Sequence, residues 1–203
     1  MDPSQVAFSG YSAWSDTLVR PGMLDRWLYR SRQFFAALGV GARLDREDVR
    51  EARRVLGPDL YKLFAAMPDP YKRHGLRVYR KVREAGGSGE SLLQAALLHD
   101  SGKYDPVSGR YVTVPHRVAV VLLGAVPPGR PALGWLSRHR ETRGLSGYML
   151  YPFYLSKHHS RLGARLAAQH GASPELARLI AGHQRPNATD EALRRLQAAD
   201  DRS

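Results

Sequence analysis

The sequence contains no cysteine among its 203 residues. Without thiols the chain has no disulfide scaffold, no Cys-ligated zinc site and no thiol nucleophile. Any metal must therefore be held by His, Asp or Glu, and the chain carries eight His and 19 Asp plus Glu. Its length suits one domain of about 100–200 residues with an extension.

Lysine is scarce as well. Only five of the 31 basic residues are Lys, so Arg provides most of the formal net charge of +12 and of the pI near 10.4. A pI in this range favours a polyanionic partner. An Arg-rich, Ala-rich composition is also typical of a GC-rich genome, so composition alone leaves both interpretations open.

Long apolar runs are lacking too. The longest, Val118–Val126, is far shorter than the ~20 residues that a membrane-spanning helix needs. Residues 1–20 contain Asp2 and Asp16 and no apolar core of the kind found in secretory signals. We therefore expect a cytoplasmic protein with no membrane partner.

Hydrophobic periodicity predicts an all-α fold in three regions. A flexible arm is expected over residues 1–22, a helical extension over 23–67 and the main domain over 68–203. Helices are predicted at 23–38, 45–56, 58–67, 70–85, 91–99, 114–126, 155–170, 173–184 and 188–201. Residues 105–113 are expected to form a loop, and residues 130–154 to be irregular.

The positive charge is concentrated in the middle of the chain. Residues 71–150 carry 13 basic and five acidic groups, a net charge of +8, whereas residues 1–70 carry ten and nine. A basic nucleic-acid-binding tail at the N-terminus is therefore not indicated.

Polar residues fall on the apolar faces of five predicted helical segments. They are His74, the pair His99-Asp100, His159, His183 and Asp200. A buried ionised carboxylate costs several kcal/mol unless it is paired or metal-bound. Each residue alone is more often a satisfied core residue or a turn residue. Together they favour one shared site, in which imidazoles and carboxylates satisfy one another through a divalent cation.

The other histidines fit less well. His158 is predicted to face outward, and His170 to favour the C-terminal end of a helix dipole. His116 and His139 lie in weakly patterned segments.

In its order and spacing this set resembles the HD-domain metal-dependent phosphohydrolases over residues 68–203. The matching elements are His74, His99-Asp100-Ser101-Gly102-Lys103, His159-Ser160-Arg161-Leu162-Gly163, His183 and Ala199-Asp200. Two positions depart from the family pattern. Ser101 stands where Ile, Val or Leu is usual, and Ser160 replaces the commoner Pro.

The resemblance implies an HD-domain helical bundle and a ligand set. His74, His99, Asp100 and Asp200 would form the basic metal set, with Asp100 as the central catalytic ligand. His159 and His183 would complete a second site where two ions are used. The oxygen and nitrogen donors suit one or two divalent ions among Mn, Fe, Co, Zn and Mg.

The resemblance also suggests two substrate contacts, Lys103 and Arg77. Lys103 would neutralise a phosphate and assist catalysis, with a solvated turn lysine as the alternative. Arg77, one turn beyond His74, could reach the substrate, but its position favours a surface helix arginine.

The implied reaction is attack of metal-activated water on a phosphomonoester or phosphodiester, in a phosphorylated small molecule or nucleotide. One alternative is a non-catalytic HD-domain regulator that binds metal or nucleotide. Another is an RNA- or DNA-binding protein that uses the Arg-rich middle block. The oligomeric state is not indicated by the sequence.

Overall fold

The computed structural model describes residues 44–125 and 129–203, and within these ranges it contains helices and no β-strand. The helices are α1 Arg46–Ala66, α2 Asp69–Glu84, α3 Glu90–Leu98, α4 Val114–Ala125, α5 Gly129–Leu136, α6 Gly144–Gln169, α7 Pro174–Gly182 and α8 Glu191–Asp200, with a 3-10 turn at Ser101–Lys103. The all-α prediction is confirmed for this part of the chain. The predicted arm at 1–22 and the helix at 23–38 lie outside the described residues. Among the helices described, none is both long enough and apolar enough to cross a bilayer.

The helices predicted at 45–56 and 58–67 are both present, separated by a sharp bend at Gly57, and are numbered together as α1. Gly57 has φ +66° and ψ −179°, a backbone conformation that favours glycine, and Pro58 follows it. Beyond the bend, Leu60 and Phe64 are buried in the main core. Tyr79 of α2 donates a 3.0 Å hydrogen bond to Glu51 of α1. The described part of the predicted extension therefore packs on the core.

Helix α3 lies at the centre of the core and contacts α1, α2, α7 and α8. Its Ala95, Ala96, Leu97 and Leu98 are almost completely buried. A helix that is apolar on all sides is expected to occupy such a position. Because His99 caps its C-terminus, α3 delivers His99 and the following Asp100 to the centre of the molecule.

The irregular structure predicted for residues 130–154 holds only for residues 137–143 and is wrong for the rest. Residues 129–136 form α5, and α6 begins at Gly144, eleven residues before the predicted start at 155. Pro131 lies in the first turn of α5, where its missing N–H costs nothing. Pro152 lies inside α6, where a proline removes one backbone hydrogen bond. It is tolerated because Tyr151, Pro152 and Leu155 are buried against neighbouring residues.

The turn after Asp100 touches α6 backbone to backbone. A Cβ placed on Gly102 would lie 2.1 Å from the His159 carbonyl oxygen and 2.4 Å from the Gly163 nitrogen. Gly163 is restricted less severely, because its Cβ would lie 2.9 Å from Ser101 Oγ and 3.0 Å from Gly102 N. These two glycines set the distance between Asp100 and His159.

We expect Gly102→Ala to lower the free energy of unfolding by about 3 kcal/mol or more, since rigid backbone atoms occupy the space of the new methyl group. Gly134→Ala is the matched control. Beyond its own helix, no atom of the described residues lies within 4 Å of a Cβ at Gly134 on α5, so the change should be neutral or stabilise by up to about 1 kcal/mol. Urea denaturation of both variants measures the difference. Equal free energies of unfolding for the two variants would contradict the close contact between the turn and α6.

Candidate metal centre

Six side chains from five helices and one turn meet at the centre of the fold. His74 comes from α2, His99 from the end of α3, Asp100 from the following turn, His159 from α6, His183 from the end of α7 and Asp200 from α8. They form two groups of three, His74, His99 and Asp200 in one and Asp100, His159 and His183 in the other. Within each group the candidate ligand atoms lie within 4.8 Å of one another.

The first group is held together by short nitrogen and oxygen contacts. His74 Nε2 lies 2.9 Å from Asp200 Oδ1 and 3.2 Å from His99 Nε2. His99 Nε2 lies 3.5 Å from the same Asp200 oxygen. His99 is completely buried, whereas the Asp200 side chain is 35% exposed. The centre therefore opens towards solvent on the α8 side.

Asp100 lies between the two groups. Its Oδ1 is 3.6 Å from His159 Nε2 and 3.7 Å from His99 Nε2. Its Oδ2 is 3.9 Å from His74 Nε2. His159 Nε2 and His183 Nε2 are 3.2 Å apart on the other side. A single carboxylate thus faces imidazoles of both groups, the position of a ligand that two ions would share.

Backbone carbonyls orient three of the four histidines. The Nδ1 atoms of His99, His159 and His183 lie 3.0, 2.7 and 2.7 Å from the carbonyls of Ala96, Ser156 and Ile180. Because a carbonyl only accepts, each Nδ1 carries the proton and donates it. In the neutral ring Nε2 then presents a lone pair. This second contact is typical of histidines that bind metal.

The pKa values of the histidines show which Nε2 atoms are unprotonated near pH 7. Burial, aided by Lys103, lowers the pKa of His159 to about 3. Burial, aided by His99, lowers the pKa of His183 to about 4. Both rings are neutral near pH 7, so two lone pairs face each other across 3.2 Å with no proton between them.

His99 behaves differently. Burial alone would lower its pKa, but the carboxylates of Asp100 and Asp200 outweigh burial and raise the pKa to about 9. The opposite effect holds for Asp100, where burial is outweighed by Lys103 and the histidines, and its pKa is well below the usual range. In the metal-free chain a proton on His99 therefore offsets part of the carboxylate charge, and metal binding would displace it.

The donor set fits a divalent cation. Two nitrogens that each lie about 2.1 Å from one ion are about 3.0–3.4 Å apart at octahedral and tetrahedral angles. Both Nε2–Nε2 separations, 3.2 Å, fall in that range. Four imidazoles and two carboxylates suit Mn, Fe, Co, Zn or Mg better than a soft metal. The buried His/Asp groups can therefore hold a metal ion.

The resemblance assigns substrate contacts to Lys103 and Arg77. Lys103 is in contact with a candidate ligand, whereas Arg77 lies on helix α2. Lys103 Nζ is 2.8 Å from Asp100 Oδ2, and its side chain is 20% exposed. Lys103 is therefore not a solvated turn lysine. Arg77 lies one turn beyond His74 on α2 and is partly buried; burial and the neighbouring Arg73 lower its pKa.

The histidines that the sequence analysis set aside lie outside both groups. His116 contacts Thr113 Oγ1 at 2.6 Å and the Met149 carbonyl at 3.1 Å, joining α4 to α6. His170 caps the C-terminus of α6. His158 is partly exposed and packs on the Tyr154 ring.

Sequence reasoning missed the residues that support the ligands. Gln197 Nε2 donates to the carbonyls of His183 and Arg185, at 2.9 and 2.8 Å, and so ties His183 to α8. Tyr71 donates to the Val112 carbonyl and anchors the loop that follows the turn. The one sequence signal for this supporting role is that Gln197 follows the apolar residues Leu193 and Leu196 of α8.

In comparisons with known proteins, no family model, no curated protein and no solved structure matches the chain. The functional assignment therefore depends on the residues and geometry of the site itself.

Proposed function

We propose that this chain is a metal-dependent phosphohydrolase of the HD-domain type. The observation that carries the proposal is the convergence of six buried or half-buried candidate ligands in two groups of three, with Asp100 of one group facing His99 of the other. Buried neutral imidazoles with opposed lone pairs are costly for folding alone. A function that uses a bound cation accounts for them.

In this proposal each residue has a defined task. His74, His99 and Asp200 would hold one ion, His159 and His183 would hold a second where two are used, and Asp100 would serve as the central ligand. An ion bound there supplies Lewis acidity, which lowers the pKa of a water and polarises a phosphoryl oxygen. The carbonyl contacts of Ala96, Ser156 and Ile180 keep the three imidazoles aligned. Substrate approaches from the side on which Asp200 is exposed.

Lys103 has a separate role. Its ammonium neutralises Asp100 in the resting site, and its partial exposure allows it to reach an anionic group beside that carboxylate. The excess of positive charge in residues 71–150 favours the approach of such an anion. A phosphomonoester or phosphodiester, nucleotide-like in size and charge, is the proposed substrate class.

A direct assay tests the proposal. The purified chain is stripped with a chelator, then supplied with Mn, Fe, Co, Zn or Mg and assayed on an aryl phosphate, an aryl phosphodiester and a nucleotide panel. Phosphate release that depends on metal supports the proposal. Tight metal binding with no turnover on any substrate would contradict it and favour a non-catalytic regulator.

We expect Lys103→Met to lower kcat/KM about 100-fold, the effect of removing one charge-stabilising donor. Metal content should stay unchanged, since Lys103 is not among the candidate ligands. Lys103→Arg should recover part of the rate. The matched control is Lys157→Met, which alters an exposed lysine of α6. Normal turnover of Lys103→Met would show that the lysine serves only to neutralise Asp100.

A further inference from the structure

Exposed large apolar side chains are confined to one part of the described chain, residues 107–149. All seven such side chains lie there, among them Leu122 and Trp135, each 57% exposed, and Leu145, 78% exposed. Elsewhere in the described ranges the large apolar side chains are buried or partly buried. Single exposed apolar residues are ordinary, but a concentration of them marks an interaction site.

Helix α4 forms the middle of this part of the chain. Between Val118 and Leu123 it has no polar residue, and none of its twelve residues is buried. A helix that is apolar on all sides normally lies inside a core, as α3 does. Nine of the twelve residues of α4 are partly buried and three, including Leu122, are exposed, so the described residues cover its apolar surface only in part.

Specific contacts join α4, α5 and the start of α6 into one unit, here called the α4–α5 unit (residues 107–149). The His116 ring of α4 packs against Phe153 of α6, with ring centroids 5.4 Å apart. Arg130 Nε of α5 donates to the Gly124 carbonyl of α4 at 3.4 Å. The guanidinium of Arg110 lies 5.2 Å from the Tyr148 ring centroid. The apolar groups are thus presented by one connected substructure.

The α4–α5 unit is also strongly basic. It contains six arginines and one acidic residue, Glu141, a net charge of +5. Four of the arginines, at 130, 138, 140 and 143, are exposed. An exposed apolar surface with an arginine excess calls for a partner that is itself apolar and negatively charged.

The positive charge of the α4–α5 unit argues against two other partners for its exposed apolar surface, and its apolar residues argue against a third. A second copy bound through the same surface would bring like charges together. Residues 1–43 carry five Arg and three Asp, so they lack complementary charge. A nucleic acid has the right charge, but it offers no apolar phase for aliphatic groups such as Leu122 and Leu145.

We propose that the α4–α5 unit docks on an anionic lipid surface. The exposed leucines and methionine of this unit, together with Trp135, enter the boundary between headgroups and acyl chains. Aromatic residues are favoured at that boundary. The arginines contact lipid phosphates, and each strengthens binding about fivefold at an anionic membrane. Docking of this kind needs no spanning helix, so the sequence argument against a transmembrane segment does not apply to it. The inference does not depend on the proposed hydrolase activity.

Vesicle co-sedimentation of the full chain tests the proposal. The probes are vesicles of phosphatidylcholine alone and vesicles containing about one-third phosphatidylglycerol. Binding to the anionic vesicles should be at least about tenfold tighter and should weaken with added salt. The double variant Leu122→Asp/Trp135→Asp should reduce binding at least about tenfold, because it removes apolar contact and adds repulsion.

The control variant, Ala66→Asp/Ala168→Asp, adds the same two charges at exposed positions of α1 and α6. It should bind nearly as well as the natural sequence. Circular dichroism checks that both variants are folded. If Leu122→Asp/Trp135→Asp fails to fold, Arg140→Gln/Arg143→Gln replaces it, with a reduction of about tenfold or more expected.

Several outcomes would overturn the proposal. They are no vesicle binding by the full chain, equal binding to both vesicle types, equal loss of binding in the control variant, and self-association that Leu122→Asp/Trp135→Asp abolishes in the absence of vesicle binding. Tighter binding to a single-stranded oligonucleotide than to the anionic vesicles would also overturn it, in favour of a nucleic-acid surface.

Discussion

Replacing Asp100 with Asn is expected to lower metal-dependent phosphate release by at least about 10³-fold, the scale of losing a group central to transition-state charge stabilisation. Asparagine preserves the size of the side chain but removes its negative charge. Within residues 44–125 and 129–203, Asp100 is the one carboxylate that faces imidazoles of both groups. An amide in its place donates or accepts weakly and does not neutralise a cation, so both ions would be held less tightly.

The measurement combines turnover with metal content. In Asp100→Asn, both activity and bound metal should fall, because the same carboxylate serves both. The matched control is Asp201→Asn, an exposed carboxylate next to the candidate ligand Asp200. It should keep metal and rate within about twofold, as surface changes away from special features usually do. Full activity in Asp100→Asn would rule out the proposed catalytic role.

The identities of the six candidate ligands were predictable from the sequence because burial makes polar residues conspicuous. His159 and His183 continue apolar stripes on their helices, and both are buried in the structure. Asp100 follows the apolar run Ala95–Leu98 and His99, and it is 3% exposed. A polar residue at such a position must be paired, and that requirement can be read from local periodicity.

The pairing within the site was not predictable, because it depends on packing between distant elements. His74 and Asp200 are 126 residues apart in the chain yet lie 2.9 Å from each other. The approach of the Asp100 turn to α6 depends on Gly102 and Gly163. Local periodicity contains no information on which helices become neighbours, so the division into two groups, with Asp100 of one facing His99 of the other, required the structure.

The early start of α6 illustrates a second limit of prediction from the sequence. Glycines at 144 and 147 and Pro152 weaken the helical pattern of this segment. A Cβ on Gly147 would lie 2.3 Å from the Thr142 backbone, so the glycine is there for close packing rather than to end a helix. Tertiary contacts override weak local propensity in such segments.

Removal of bound metal is expected to lower the melting temperature by about 8–16 °C. An ion present at about 1,000 times its Kd stabilises the native state by about 4 kcal/mol, and each kcal/mol corresponds to about 2–4 °C for a chain of this length. The stabilisation by metal comes from the neutral imidazoles of His159 and His183, whose Nε2 atoms lie 3.2 Å apart with their lone pairs opposed. Scanning calorimetry before and after chelation, and after metal is restored, measures the change.

The neighbouring histidines 158 and 159 offer a matched pair of variants for this measurement. His159 is buried and faces Asp100, whereas His158 is partly exposed and packs on Tyr154. His159→Ala should lose metal from one group and most of its stabilisation by metal, while His158→Ala should retain both. If two ions bind, His159→Ala should keep the ion held by His74, His99 and Asp200, because those three ligands remain. A metal-induced shift in melting temperature that is equal in both variants would show that His159 is not a ligand.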